Sequence, residues 1–257
     1  MLHSDGSKDY LEKNNNQERH KMENTYTEAK KFWNQAFEMN EEDLKDYIKE
    51  IKPEDGWKEL ASSEKLADVL VNELAGKNQV LDYGCGEGWG GIILSKSGCK
   101  NVTCVDVVEN AIGLVEKLRS VFKIETGFQA RCVSDDWLKD ESGQFYDGIF
   151  CSNVIDVLPE YVANDIIENF ARITTDDAKL VIAMNHYSEP VSVPDKNVEA
   201  KNGNEIYVNG ILRMVARTDE EWSEIFSKYF EIEKIEHFAW PGETEEKRRI
   251  FVLRKKN

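Results

Sequence analysis

The residues best suited to chemistry stand in one stretch, Val80-Leu81-Asp82-Tyr83-Gly84-Cys85-Gly86-Glu87-Gly88-Trp89-Gly90-Gly91. An apolar run with the pattern of a strand leads into it and a helical pattern follows. The glycines therefore fall in a strand-to-helix turn, where they permit a tight bend and let backbone amides approach a ligand. Gly84, Gly86 and Gly88 are the positions expected to line that ligand. Read as Gly86-x-Gly88-x-x-Gly91, the loop meets the pattern of a dinucleotide-binding turn. Asp106 stands 20 residues after Gly86, at the expected end of the next strand, where a carboxylate takes ribose hydroxyls. Asp82 selects among such ligands. It lies two residues before Gly84, close to where a pyrophosphate would sit, and its charge opposes phosphate at short range. A ligand with a sugar, an adenine, an ammonium and a sulfonium but no phosphate suits carboxylates at both Asp82 and Asp106. S-adenosylmethionine has that composition.

The elements that must hold this loop follow from hydrophobic spacing. Strands are expected at Gln79 to Tyr83, Asn101 to Val105, Phe128 to Val133, Tyr146 to Cys151 and Lys179 to Met184, alternating with helices that begin near Gly88, Glu109 and Tyr161. That alternation predicts an α/β fold, a parallel sheet with helices on both faces. Upstream, Tyr26, Ala29, Trp33, Ala36 and Phe37 recur at helical spacing, a second helix is expected over Glu41 to Ile51, and Leu66, Val69, Leu70 and Leu74 mark a third that ends at Gly76. Pro53-Glu54-Asp55-Gly56 breaks the chain between them. The organisation expected is a disordered polar arm over 1–22, a helical cap over 23–76 and a main domain over 77–257. Within the main domain, 186–217 is polar and weakly periodic, a stretch long enough to serve as a lid. A helix bearing Trp222, Ile225, Phe226 and Tyr229 follows it. The strands near Phe230 to Phe238 and Arg249 to Arg254 are joined too closely for a parallel crossover, so they form an antiparallel hairpin.

Composition narrows the partners. The 257 residues carry 33 Lys and Arg against 49 Asp and Glu, a net charge of −16, which repels a phosphate backbone and argues against nucleic acid. No apolar run approaches the roughly 18 residues of a membrane span, and no secretory signal pattern is present. The five cysteines show no Cys-x-x-Cys pair, against both a disulfide framework and a zinc cluster; a reducing cytoplasm suits them.

At these residues the sequence resembles the class I S-adenosylmethionine-dependent methyltransferases. Val80 to Gly88 is similar to that family's first motif, and Val105-Asp106-Val107 to its ribose-binding acidic position. Ser134-Asp135-Asp136-Trp137-Leu138 resembles the place where the family holds adenine, and it leaves open which of Asp135 and Asp136 meets the adenine amino group while Trp137 packs alongside. Phe145 to Leu158 resembles the fourth strand and the loop toward the reaction centre, with Asn153 in that loop. The resemblance implies a seven-stranded Rossmann-like sheet whose last strand is antiparallel, and methyl transfer to an acceptor.

The acceptor half is less marked. Asn153 is followed by Val154-Ile155 rather than a Pro-Pro-aromatic run, and no proline precedes a cysteine, unlike enzymes that methylate DNA bases. A small-molecule acceptor is expected first, a protein side chain second, and a non-catalytic cofactor-binding partner protein is the reading from another class. Trp33 and Trp57 in the cap, and Tyr187, Tyr207 and Arg213 in the lid stretch, are the candidates for shaping the acceptor pocket. Asp156, just past the fourth strand, could meet an acceptor amine; no metal site is expected. His186 directly follows the fifth strand, at the sheet edge where open α/β folds place ligands. Its position leaves three roles open: general base, hydrogen-bond partner or structural residue.

Overall fold

In the computed structural model, which describes residues 25–50 and 56–256, the predicted strands form in their predicted order. In chain order the strands are β1 (Gln79–Tyr83), β2 (Asn101–Asp106), β3 (Phe128–Cys132), β4 (Tyr146–Ser152), β5 (Thr174–Met184), β6 (Val198–Lys201), β7 (Glu205–Val208), β8 (Ile211–Val215), β9 (Phe230–Phe238) and β10 (Arg248–Lys255). Seven of them make one sheet, β3-β2-β1-β4-β5-β10-β9. β10 runs antiparallel to both its neighbours, and the other six share one direction. β10 has six buried residues in a row, Arg248 to Leu253, as a strand covered on both faces must. Its edge neighbour β9 is buried only at its two ends, Phe230 and Phe238, with Glu231, Glu233, Lys234 and Glu236 between them, charges that discourage pairing with another chain.

Helices cover both faces. The helices are α1 (25–36), α2 (Glu41–Glu50), α3 (Glu64–Leu74), α4 (Trp89–Lys96), α5 (Glu109–Val121), α6 (Trp137–Asp140), α7 (Glu160–Ile173) and α8 (Asp219–Phe226). On one face Leu66, Leu70 and Leu74 of α3 pack with Ile92 and Ile93 of α4 and Leu118 of α5 against Val80, Val102 and Phe150. On the other, Ile166, Phe170 and Ile173 of α7 and Trp222 and Phe226 of α8 pack against Leu81, Ile149, Ile182 and Phe251. Trp57, in a tight helical turn Gly56–Leu60, packs on the first of these layers. The arm expected over 1–22 and the break at Pro53-Glu54-Asp55 lie outside the described residues.

Two elements differ from expectation. β5 begins at Thr174 rather than Lys179, directly where α7 stops. The stretch 186–217 is not irregular: β6, β7 and β8 form a separate antiparallel sheet around Tyr207, Leu212 and Val215. Its turns carry Asn202-Gly203 and Asn209-Gly210, all four at positive φ, and Asn-Gly is the pair that favours such hairpin turns.

The strand order reverses beside β1, since β2 lies to one side and β4 to the other. The carboxyl ends of β1 and β4 therefore flank the crevice in which open α/β sheets hold ligands.

Candidate active site

The glycine loop leaves β1 at that crevice. Gly84 and Gly86 have φ of 64° and 53°, a region costly to side chains with a Cβ. A Cβ on Gly84 would come within 2.3 Å of Val154 Cγ2, and one on Gly86 within 3.1 Å of the Phe37 ring. Gly84 therefore requires glycine for space as well as for conformation, and Gly86 chiefly for conformation. Gly88 ends the loop as the residue before α4, also at positive φ.

Asp106 reaches back across from the end of β2. Its Oδ2 accepts the Gly86 N–H at 2.9 Å and its Oδ1 the Val108 N–H at 3.0 Å. The Val107 N–H also faces the carboxylate, and four lone pairs on the two oxygens still leave capacity for a further donor. Burial raises the Asp106 pKa, against the lowering by those backbone bonds. Val107 beside it is partly exposed.

Asp82 is used differently from what its position suggests. The side chain is 2% exposed, and Oδ2 accepts the Gly91 N–H of α4 at 2.7 Å. The carboxylate fixes the start of the helix, at the end where the backbone dipole favours negative charge. Burial nevertheless pushes its pKa up to about 7 from the ordinary 3.8. A folded-state value above the unfolded one gives stability that is complete below the unfolded pKa and is lost as pH rises through the folded one. Between about pH 4 and 7 Asp82 therefore makes the wild type progressively less stable. Asp82→Asn, uncharged throughout, should lack this slope, so melting temperature of the variant minus that of wild type should become more positive from pH 5 to pH 8. Parallel pH profiles for the two proteins would contradict the assignment.

Asp135 and Asp136 separate in space. The Tyr26 hydroxyl donates to Asp135 Oδ1 at 2.8 Å and Lys30 Nζ to Oδ2 at 2.5 Å, both from α1. Burial, then the Asp135 charge, raise the Tyr26 pKa, which keeps its hydroxyl a donor. Asp136 precedes α6 and pairs with Lys139 at 3.0 Å, its side chain 74% exposed. Trp137 is half-buried against the layer beneath α7. Helix α1 and the residue that follows it, Phe37, touch three more parts of the site. Asn34 accepts from Asn110 Nδ2 at the start of α5 at 2.9 Å, Phe37 covers Gly86, and Phe32 and Trp33 meet Arg213 of β8. Across the crevice Asn153 adopts φ of 54°, and its side-chain Oδ1 is buried without a partner.

A sequence-family profile described as a methyltransferase domain matches residues 42–215. The chain belongs to this family. The methyltransferase also shares its fold with solved structures at low identity. A Burkholderia thailandensis 1,6-didemethyltoxoflavin N1-methyltransferase, solved with 1,6-didemethyltoxoflavin and S-adenosylhomocysteine, aligns with TM-score 0.61 at 16% identity over 79% of this chain and 82% of that one. A Mesorhizobium loti S-adenosylmethionine-dependent methyltransferase aligns with TM-score 0.56 at 14% identity over 76% and 98%. The [4+2]-cyclase SpnF aligns with TM-score 0.59 at 12% identity over 80% and 85%. No curated protein matches the sequence. The cofactor of the methyltransferase is S-adenosylmethionine, and the site fits it: spare acceptor capacity on Asp106, a glycine cradle that a Cβ would fill, and an unpartnered amide oxygen on Asn153.

The remaining candidates of the methyltransferase are scattered. His186 and Tyr187 turn into a groove of about 430 Å³ with Asp219, His237, Lys247 and Arg249, at the ends of β5, β10 and β9. No glycine-loop residue lines it. Burial, then Arg248, lower the His186 pKa, so the imidazole is neutral near pH 7. Asp156 is a correction to the sequence reading. It is fully buried, and its Oδ2 accepts from Asn185 N at 2.8 Å and Asn185 Nδ2 at 2.9 Å; a carboxylate so enclosed anchors the end of β5 and meets no acceptor. Trp57 packs in the layer of α3 and α4. Tyr207 is 8% exposed, donates to Glu205 at 2.9 Å, and has its pKa pushed up to about 12, chiefly by burial. Lys30, Phe32, Asn34 and Asn110 escaped sequence reasoning. Tyr26 and Lys30 share a helical face at i,i+4 spacing, but nothing in their spacing points to Asp135. Among the described residues no helix is long and apolar enough to cross a membrane, and no three His, Cys, Asp or Glu side chains group to hold a metal ion.

Proposed function

We propose that this methyltransferase acts on a small-molecule acceptor held beneath a lid made of α1 and the β6–β8 sheet. The single observation that carries the reading is the reach of α1 with Phe37 just after it, which touch the glycine loop, the start of α5, Asp135 and β8 at once. A helix so placed closes the crevice to anything as large as a folded protein. The solved N1-methyltransferase with a small acceptor bound agrees with that size.

In this reading Asp106 takes the ribose hydroxyls on its spare lone pairs, the turn at Gly84, Gly86 and Gly88 lies against the amino acid portion, Asp135 and Trp137 border adenine, and Asn153 Oδ1 accepts from an ammonium. Asp82 acts from behind by fixing the loop. When bound, the cofactor supplies an electrophilic methyl group for in-line displacement. The chain's part is then to align the acceptor and exclude water, the largest effects available to such a site. A general base is not assigned, because His186 opens to a separate groove.

Isothermal calorimetry with S-adenosylhomocysteine, followed by incubation with labelled S-adenosylmethionine and a panel of small acceptors beside a set of peptides, tests the reading. Turnover confined to peptides would overturn it. The lid also makes its own prediction. The Lys30–Asp135 pair is partly exposed, with side chains 31% and 43% accessible, and such pairs contribute about 0–1 kcal/mol to stability. Tyr26→Phe with Lys30→Met should therefore leave the melting temperature nearly unchanged while S-adenosylhomocysteine dissociates several-fold faster. Unaltered dissociation by stopped flow would show that α1 does not close over the cofactor.

A further inference from the structure

Arg213 is out of keeping with the rest of the charge on this chain. In a protein with 49 acidic residues, every other described arginine has an ion pair or hydrogen bond: Arg217 with Glu160, Arg248 with Glu243, Arg249 with Asp219 and Arg254 with Glu231, for example. Arg213 has neither among the described residues, and its Nε is buried with no partner. Its guanidinium lies instead 4.3 Å from the centre of the Phe32 ring and 5.2 Å from that of Trp33. Those two rings meet edge to face at 5.1 Å. Burial alone lowers the Arg213 pKa, with no carboxylate opposing it. A buried N–H left without an acceptor costs free energy unless something completes it. The residue sits where α1 meets β8, at the seam of the proposed lid.

We infer that the acceptor is a flat aromatic carboxylic acid, its carboxylate received by the Nε edge of Arg213 and its ring lying beside Phe32 and Trp33. The inference rests on the small-molecule methyltransferase reading above. The two rings, their centres only 5.1 Å apart, lie to one side of the guanidinium, and its edge presents two parallel N–H groups in the fork that matches a carboxylate. A phosphate dianion fits less well, because the net charge of −16 repels the second negative charge more strongly. The aromatic walls select a flat partner, since stacked and edge-to-face rings contribute beyond their area.

The test uses the full chain loaded with S-adenosylhomocysteine and four probes: benzoate and 2-naphthoate, with benzamide and 2-naphthamide as neutral counterparts. By calorimetry the acids should bind about 10- to 150-fold tighter than the amides, the range for a hydrogen bond to a charged group. Arg213→Gln, kept loaded by saturating S-adenosylhomocysteine, should abolish that preference. Arg213→Lys, which keeps the charge but lacks the fork, should retain part of it and guards against a merely folding defect in the Gln variant. Equal binding of acid and amide, no binding of the acids, or a preference that survives Arg213→Gln each overturns the inference. Failure of the wild type to bind S-adenosylhomocysteine would instead bring down the methyltransferase reading, and this inference with it.

Discussion

Arg249→Leu is expected to cost the folded state about 3–5 kcal/mol, the usual penalty for removing one partner of a buried charged group. Arg249 is 1% exposed within β10. Its Nε donates to the Asn185 carbonyl at 2.8 Å, and its Nη1 to the Arg217 carbonyl at 2.6 Å and to Asp219 Oδ1 at 3.4 Å. The same charge faces Asp156, whose carboxyl burial holds above its ordinary pKa and whose ionised form Arg249 favours. Leucine leaves that carboxylate buried with only Asn185 for company, and leaves two carbonyls without their donor. The melting temperature should fall by roughly 6–20 °C for a chain of this size. Asp156→Asn in the same chain should return part of the loss, because the uncompensated charge is then gone. Denaturant melts showing a loss below about 1 kcal/mol would mean that the network is solvated or dispensable.

Asp106→Ala is expected to weaken S-adenosylhomocysteine binding by about 1.5–3 kcal/mol, or about 10- to 150-fold, the worth of hydrogen bonds to a charged acceptor. Two effects combine. The side chain loses its spare acceptor sites for ribose hydroxyls, and the N–H groups of Gly86 and Val108 lose the bonds that shape the loop. Asp106→Asn separates them, since an amide oxygen serves one N–H but its nitrogen cannot serve the other. The Asn variant should fall between wild type and Ala. An affinity within twofold of wild type in the Ala variant, by calorimetry, would remove Asp106 from the cofactor site.

The sheet was legible because its strands are short apolar runs separated by helical periods, and the glycine loop because Gly84 and Gly86 have no substitute at those angles. The small sheet was hidden by its composition. Polar residues fill 186–217, yet Asn202-Gly203 and Asn209-Gly210 were hairpin signals in plain view. Asp135 could not be told from Asp136, since the difference is made by Tyr26 and Lys30, which lie 109 and 105 residues away. The network of Asp156, Arg249 and Asn185 was equally invisible. Charged residues are read as surface by default, and only the fold reveals that β10 is enclosed on both sides.

The place of β10 also bears on how the chain is made. It is the last of the ten strands to leave the ribosome, yet it is threaded between β5 and β9, one place in from the edge of the sheet. Until it emerges, β5 presents a bare edge and β9 has no neighbour, so neither ladder can close during synthesis. A nascent chain in that state is exposed to edge-to-edge association with its own kind. The N-terminal cofactor half, whose strands β1 to β4 pair among themselves, can assemble earlier, and the final seam waits for eight residues.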